Sequence, residues 1–214
     1  MNYLELVNDV LVRLRESEVT SVGDNSYSKL IGKYINDTKR QVEDAYNWNV
    51  LTETLTAQTD VAIFSYAMTG LGQRFKLIDV IDDTNNYKLK YAPTETMNKW
   101  FLEAYDSGTP KYYNFNGVSP SGDTMVDLYP VPDGVYDVRF NVYIPQGNLT
   151  TNSDELLVPS EPVILGAYAR ALVERGEDGG LASSEAYQLF KSSLADFIAI
   201  ESGRYAEELV WSAE

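Results

Sequence analysis

The sequence predicts an α+β fold: a helical bundle formed by the N- and C-terminal helix pairs, with a central antiparallel β domain inserted between them. Apolar residues recur at helical spacing near both ends of the chain, whereas the central part alternates apolar and polar residues as half-buried strands do. Strands and helices do not alternate along the chain, as a parallel βαβ fold would require. The terminal helix pairs are therefore expected to pack together as one bundle.

Two helices are predicted before the β region. Leu4, Val7, Leu11 and Leu14 recur at helical spacing, which makes residues 1–16 an amphipathic helix. After a polar break, a longer helix is predicted at 27–46. Its buried stripe follows i, i+3, i+4 and i+7 spacing and comprises Leu30, Ile31, Tyr34, Ile35, Thr38, Val42 and Ala45.

The clearest hairpin pattern lies at residues 124–143. Two alternating runs, at 124–129 and 136–143, flank the sequence Pro-Val-Pro-Asp-Gly at 130–134. Proline and glycine in such a connection are typical of a turn, so the two runs are predicted to pair as an antiparallel hairpin. Other elements predicted in this part of the chain are strands around Val50, Val61 and Phe75, a helix at 94–105 and a strand at 111–115.

Two helices and a tail are predicted after the β region. The first of these helices takes Ser160 as its N-cap, and the last takes Ser183 or Ser184. The face of the last helix that is predicted to point inward comprises Ala186, Leu189, Phe190, Ser193, Leu194, Phe197 and Ile198. The resulting domain assignment is a helical bundle from 1–49 and 155–204, a β-rich domain at 50–154, and a C-terminal tail at 205–214.

The composition excludes several classes of active site. The 214 residues include no cysteine and no histidine, which removes thiolate nucleophiles, disulfides, catalytic triads and zinc sites built on those side chains. With 32 acidic and 17 basic residues, the chain is a poor candidate for gripping nucleic acid. Neither a signal peptide nor a membrane-spanning segment is predicted. The sequence favours a structural assembly protein over an enzyme.

Two motifs suggest binding chemistry only weakly. Gly70, Gly72 and Arg74 resemble part of a phosphate-binding loop, but the Lys-Ser/Thr pair and the following helix are missing, so a simple turn is favoured. The carboxylates at 79–83 lack the spacing of a calcium-binding loop, so a solvated turn is favoured there. The sequence predicts no catalytic residue, no cofactor and no metal ligand.

A carbohydrate-binding or carboxylate-based hydrolytic tail accessory protein is the alternative function. Trp100, or the pair Tyr112 and Tyr113, could stack on sugar rings, and two suitably spaced carboxylates could cleave a glycosidic bond. This alternative predicts a monomer with affinity for sugars. The assembly function predicts a protein that associates with copies of itself.

The C-terminal tail carries an apolar triplet, Leu209, Val210 and Trp211, among acidic residues. Such a triplet beyond the last helix either folds back onto its own core or docks on a neighbouring protein. The residues alone leave both possibilities open.

Four segments carry a family resemblance. They are Leu4-Glu5-Leu6-Val7-Asn8-Asp9-Val10-Leu11, Ala45-Tyr46-Asn47-Trp48-Asn49, Leu128-Tyr129-Pro130-Val131-Pro132-Asp133-Gly134 and Asp154-Glu155-Leu156-Leu157-Val158-Pro159. In these positions the chain resembles the head-to-tail adaptor proteins of short-tailed bacteriophages. The resemblance extends over most of the sequence.

The resemblance implies a homo-oligomeric ring of about twelve copies between the portal protein and the tail nozzle protein. The protein would then be made in the host cytoplasm and lie in the virion, at the portal vertex and tail neck. Double-stranded DNA would pass through the ring without specific binding, because an acidic lumen repels phosphates over about 8 to 10 Å. The resemblance also implies that Leu209, Val210 and Trp211 dock on the portal.

Overall fold

The computed structural model describes residues 1–72, 74–103, 106–176 and 180–204. Within these ranges, helices flank a central β region, which confirms the predicted α+β class. The helices are α1 (Tyr3–Arg13), α2 (Ser26–Ala45), α3 (Thr94–Glu103), α4 (Ser160–Arg175) and α5 (Leu181–Ser202). The strands are β1 (Thr52–Gln58), β2 (Ser65–Met68), β3 (Lys76–Asp82), β4 (Tyr87–Lys88), β5 (Lys90–Tyr91), β6 (Tyr112–Val118), β7 (Thr124–Tyr129) and β8 (Asp137–Tyr143).

The chain forms two compact units. The helical unit consists of Met1–Leu51 and the described residues from Gln146 onward, and the β unit consists of Thr52–Pro145. The loop that follows Gln146 lay in the β-rich segment predicted from the sequence. In the structure this loop hydrogen-bonds to α1 and α2, and it is part of the helical unit.

The first two helices begin with side-chain caps. Asn2 accepts a hydrogen bond from the backbone N–H of Glu5, and the Glu5 carboxylate accepts one from the backbone N–H of Asn2, both at 2.9 Å. Asn25 and Ser28 make the same reciprocal arrangement at the start of α2. These bonds satisfy N–H groups that have no partner within the helix. The buried face of α2 includes four residues of the predicted stripe: Ile31, Ile35, Thr38 and Val42.

The predicted caps of the last two helices are wrong. Ser160 is the first residue of α4, and Pro159 precedes it without a side-chain capping bond. Helix α5 starts at Leu181 because Gly180 turns the chain with φ 98°, a left-handed conformation that glycine adopts without a steric penalty. Ser183 therefore lies inside α5, where its hydroxyl donates to the carbonyl of Gly180.

The β unit is a sandwich of two sheets. In the described residues, one sheet has the strand order β1-β8-β3-β4 and the other β2-β7-β6-β5. Neighbouring strands are antiparallel except for the short parallel pair β5 and β6. Apolar side chains from both sheets form one core: Met68, Leu71, Val80, Leu89, Val126, Leu128, Val138, Phe140 and Val142.

The predicted hairpin at 124–143 is wrong. Strand β7 has the predicted bounds, but it pairs with β2 and β6, whereas β8 pairs with β1 and β3 in the other sheet. The segment between them crosses from sheet to sheet, and Val131 there bonds to Asp106 and Gly108 instead of closing a turn. Alternation indicates that a strand has a buried face but not which strand it pairs with, and in a sandwich two consecutive strands can lie in opposite sheets and pack face to face.

Candidate assembly surfaces

Helix α5 packs Phe190, Leu194, Phe197 and Ile198 against the helical core but leaves several other apolar side chains exposed. Of its 22 residues, only Ser183, Ala186, Phe190 and Glu201 are buried. Leu181 is 74 % exposed, Leu189 is 59 % exposed, and Ile200 of the same helix is also exposed. Val173 of α4 is exposed as well. A helix that carries apolar residues on more than one side is usually covered on more than one side.

A close contact between three helices holds α5 on the bundle. A Cβ on Gly166 of α4 would lie 2.4 Å from Cγ2 of Thr38 in α2 and 3.1 Å from the ring of Phe190 in α5. Glycine therefore lets α4 approach both neighbours more closely than any other residue would. Phe190, which is fully buried, fixes the inner side of α5 and leaves the opposite side open.

A second contact fixes the C-terminal end of α5. The carboxylate of Glu201 is buried, and it accepts a hydrogen bond from the backbone N–H of Asn49 at 3.0 Å. Its other oxygen lies 3.0 Å from Nη1 of Arg204. Helix α5 is thus attached at its middle and at its end, which gives the exposed apolar side chains a fixed support.

A buried ion pair holds the returning chain on α2. Nζ of Lys39 lies 3.0 Å from Oε1 of Glu43, and both side chains are 0 % exposed. The same ammonium donates to the carbonyls of Gln146 and Gly147 at 2.6 and 2.9 Å, and Glu43 accepts from the N–H of Gln146. One residue pair of α2 therefore fixes the point at which the chain re-enters the helical unit.

Asn36 makes the neighbouring attachment. Its side chain accepts from the N–H of Leu149 at 2.8 Å and donates to the carbonyl of the same residue at 3.0 Å, as a strand partner would. The hydroxyl of Tyr3 lies 3.3 Å from its amide nitrogen, and burial of this hydroxyl raises the pKa of Tyr3. Neither attachment is evident from the sequence, and the Lys39–Glu43 pair least of all, because such a pair at i, i+4 ordinarily indicates an exposed helix surface.

The carboxylates at 79–83 have protein partners. Asp79 accepts from the side chain of Asn141 at 2.6 Å, and Asp83 pairs with Arg139 at 3.0 Å. Asp82 is buried and accepts from the backbone and side chain of Asn85, whereas Asp83, Asn85 and Asn86 are exposed, so the predicted solvated turn is confirmed except at Asp82. Within the described ranges, acidic side chains do not gather into a group that would suit a metal ion.

Trp100, Tyr112 and Tyr113, the candidate sugar-stacking residues, lie in two different cores. Tyr112 and Trp100 lie together with ring centroids 4.8 Å apart, and Trp100 also stacks on Tyr129 at 5.0 Å. Tyr113 points to the opposite face of β6, into the sandwich core, where burial raises its pKa. The structure does not bring Tyr112 and Tyr113 onto one surface, and Trp100 packs mainly against aromatic neighbours.

The glycine motif before β3 forms a bend. Gly70 and Gly72 have φ values of 85° and 64°, which favour glycine, and Leu71 between them is buried in the sandwich core. Strand β3, not a helix, follows at Lys76. The favoured prediction of a turn agrees with this geometry.

Leu209, Val210 and Trp211 lie outside the described residues. In the part of the chain that the structure describes, every helix is too short or too polar to cross a membrane. The predicted inner face of α5 is confirmed at Ala186, Phe190, Leu194, Phe197 and Ile198, which are buried or partly buried, and it is wrong at Leu189, which is exposed. The informative signal was present in the sequence, since apolar residues occur on several sides of α5.

Comparison with known protein families gives one match that spans nearly the whole chain. Residues 1–210 match the family described as SU10 adaptor protein, a family of phage adaptors. No curated protein matches the chain. A family match of this extent covers both compact units and all the described elements. The chain therefore belongs to the SU10 adaptor protein family.

Proposed function

We propose that this phage adaptor is a head-to-tail adaptor of a short-tailed bacteriophage. It forms a ring of about twelve copies that joins the portal protein to the tail nozzle protein. The protein is made in the host cytoplasm and is built into the virion at the portal vertex and tail neck. Its work is contact between virion components, in keeping with a structural family and without a catalytic step.

The observation that carries this proposal is the uncovered apolar face of α5. Leu181 and Leu189 are more than half exposed on a helix that is fixed to the bundle by Phe190 and Glu201. Burial of such apolar surface contributes about 25 cal/mol for each Å², which favours association with another copy. A rigid support keeps the cost of ordering that surface low.

The acidity of the chain supports a passage for DNA. The formal net charge is −15 for each copy, and a ring concentrates that charge around its axis. Phosphates that approach within about 8 to 10 Å of acidic side chains are repelled at physiological salt. Double-stranded DNA then slides through the lumen without specific binding.

The tail supplies the proposed contact with the portal. Leu209, Val210 and Trp211 form an apolar triplet, and tryptophan is enriched among residues that dominate binding energy. In this arrangement α5 contacts the neighbouring copy in the ring, and the tail contacts the portal.

Mixing the purified protein with a purified portal tests the proposal. We expect rings on the portal, seen by electron microscopy and by mass in solution, and we expect deletion of 205–214 to weaken portal binding at least about tenfold while copies still associate. Leu189→Asp should weaken the association of copies. Leu102→Asp, at an 87 % exposed leucine of α3, is the matched control. A protein that stays monomeric with the portal and binds sugars would contradict the proposal.

A further inference from the structure

The two edges of the β sandwich differ in construction. On one side, the chain passes from one sheet to the other through Leu89, which donates to the carbonyl of Val80, and Lys90, which donates to the carbonyl of Lys111. We call β4, Leu89 and β5 the cationic edge. On the opposite side, β1 and β2 are the outer strands of the two sheets. We call these strands and residues 59–64 between them the acidic edge.

The acidic edge carries few of the features that protect exposed strands, since Glu53 is the one charged residue of β1. Six of the seven residues of β1 are exposed, and the strand contains no lysine, arginine or proline. Among the described residues, its backbone pairs only with β8. Edge strands of this length are normally shielded by a charge, a bulge or a neighbouring element. Strand β1 therefore offers its free N–H and C=O groups to a partner.

A cavity opens beside β1. It has a volume of about 150 Å³ and lies between β1 and β2, where the two outer strands leave the sandwich core accessible. Its lining is mainly apolar, with residues from both sheets: Leu55, Ala57, Met68, Val126, Leu128 and Phe140. An apolar cavity at an unprotected edge fits a protruding apolar or aromatic side chain.

The opposite edge carries complementary groups. Residues 52–72 contain Glu53 and Asp60 but no lysine or arginine, whereas residues 84–94 contain Lys88 and Lys90 but no acidic residue. Tyr91 follows Lys90 and is 57 % exposed, with one side of its ring against Tyr113 at 5.8 Å between centroids. The cationic edge thus presents an aromatic ring beside Lys90 and beside Lys88, whose ammonium also lies 3.5 Å from Oδ2 of Asp79.

We propose that the cationic edge of one copy docks on the acidic edge of the next copy, with Tyr91 entering the cavity between β1 and β2. This inference rests on the proposed ring and names a contact within it. Because the two edges differ and lie on opposite sides of the sandwich, the contact repeats from copy to copy, as a closed ring requires. The tail at 205–214 is a poorer occupant, since it holds three glutamates and no basic residue.

Charge reversal on the full-length protein tests the contact. Glu53→Lys and Lys90→Glu should each weaken assembly on the portal about tenfold, and the double variant should restore it to within about threefold of wild type. Tyr91→Ala should weaken assembly at least about thirtyfold, as for a central aromatic contact. Lys99→Glu reverses an exposed lysine of α3 in the same unit and should assemble as wild type does. Thermal unfolding of each variant checks that its fold is intact.

The outcomes separate this contact from the ring itself. Normal ring formation by each of the two single variants, Glu53→Lys and Lys90→Glu, would overturn the edge contact and leave the proposed ring intact. Two weakened single variants without rescue in the double variant would also overturn it.

The chain has no cysteine, so Thr54→Cys introduces a single thiol into β1. Efficient disulfide-linked dimers of that variant would show acidic edges pairing with each other, against the proposal. A wild-type protein that forms no ring would overturn both inferences.

Discussion

Lys39 and Glu43 form an ion pair that is fully buried in the helical unit, with Nζ and Oε1 3.0 Å apart. The two residues are one helical turn apart in α2, and their side chains also hydrogen-bond to the backbone of the segment that begins at Gln146. A charge in this position is tolerated because each partner is neutralised and hydrogen-bonded. The pair therefore links α2 to a segment of the helical unit that lies 107 residues further along the chain.

Lys39→Met should destabilise the helical unit by about 3 to 5 kcal/mol, because it leaves the Glu43 carboxylate buried without its cation. Lys39→Met combined with Glu43→Met should cost less than Lys39→Met alone, since no buried charge remains. The free energy of unfolding from urea titration, followed by far-UV circular dichroism, measures both effects. Arg13→Met breaks an exposed i, i+4 pair with a similar separation of 2.9 Å and should cost within about 1 kcal/mol. Equal losses for Lys39→Met and Arg13→Met would contradict the argument.

Gly166→Ala should destabilise the bundle by about 1 to 3 kcal/mol through overpacking, despite the better helix propensity of alanine. The new Cβ meets Cγ2 of Thr38 at 2.4 Å, and that methyl belongs to a fully buried side chain that cannot move into solvent. Removing this methyl with Thr38→Ala should make the same glycine substitution far less costly. Urea titrations of the four proteins in this double-mutant cycle measure the coupling. Additive effects would show that the close contact does not limit the approach of α2 and α4.

Local periodicity predicted where strands and helices begin and end better than it predicted which strands pair. Strand β7 begins and ends where alternation placed it, and α2 deviates by one residue at each end, because both patterns depend on near neighbours in sequence. The pairing of β7 with β2 and β6 depends on residues far along the chain, and alternation carries no information about them. The hairpin prediction failed at this step.

Burial of charged side chains was equally beyond local pattern. Lys39 is buried by a loop that lies 107 residues further along the chain, so its spacing to Glu43 could not reveal its environment. Leu189 was assigned to the core because an apolar side chain at helical spacing ordinarily is, yet α5 has apolar residues for two surfaces. The wrong assignment of Leu189 and the unpredicted burial of Lys39 both concern contacts that only tertiary structure defines.

Trp48→Phe should destabilise the helical unit by about 1 to 3 kcal/mol beyond the loss of packing area. The indole Nε1 donates to the carbonyl of Val42 at 2.7 Å, in the last turn of α2, where carbonyls lack partners within the helix. Phenylalanine leaves this carbonyl buried and unpaired. Urea titration checks the loss, with Tyr46→Phe as the control, since this conservative change keeps the aromatic contact to Trp48. A loss no larger than that of Tyr46→Phe would show that the bond contributes little.

Asp154→Asn should lower stability at neutral pH, and the difference from wild type should disappear in strong acid. Hydrogen bonds from the hydroxyl of Thr151 and the N–H groups of Thr150 and Thr151 lower the pKa of Asp154 to about 2. A carboxyl whose folded pKa is depressed stabilises the fold above its unfolded pKa of about 3.9, and this stabilisation is lost as the pH falls through the folded pKa. The loss should therefore occur between about pH 4 and pH 2. Melting temperatures of both proteins from pH 7 to pH 2 test this expectation. A difference that stays constant over that range would show that asparagine acts through altered geometry, not through loss of the charge.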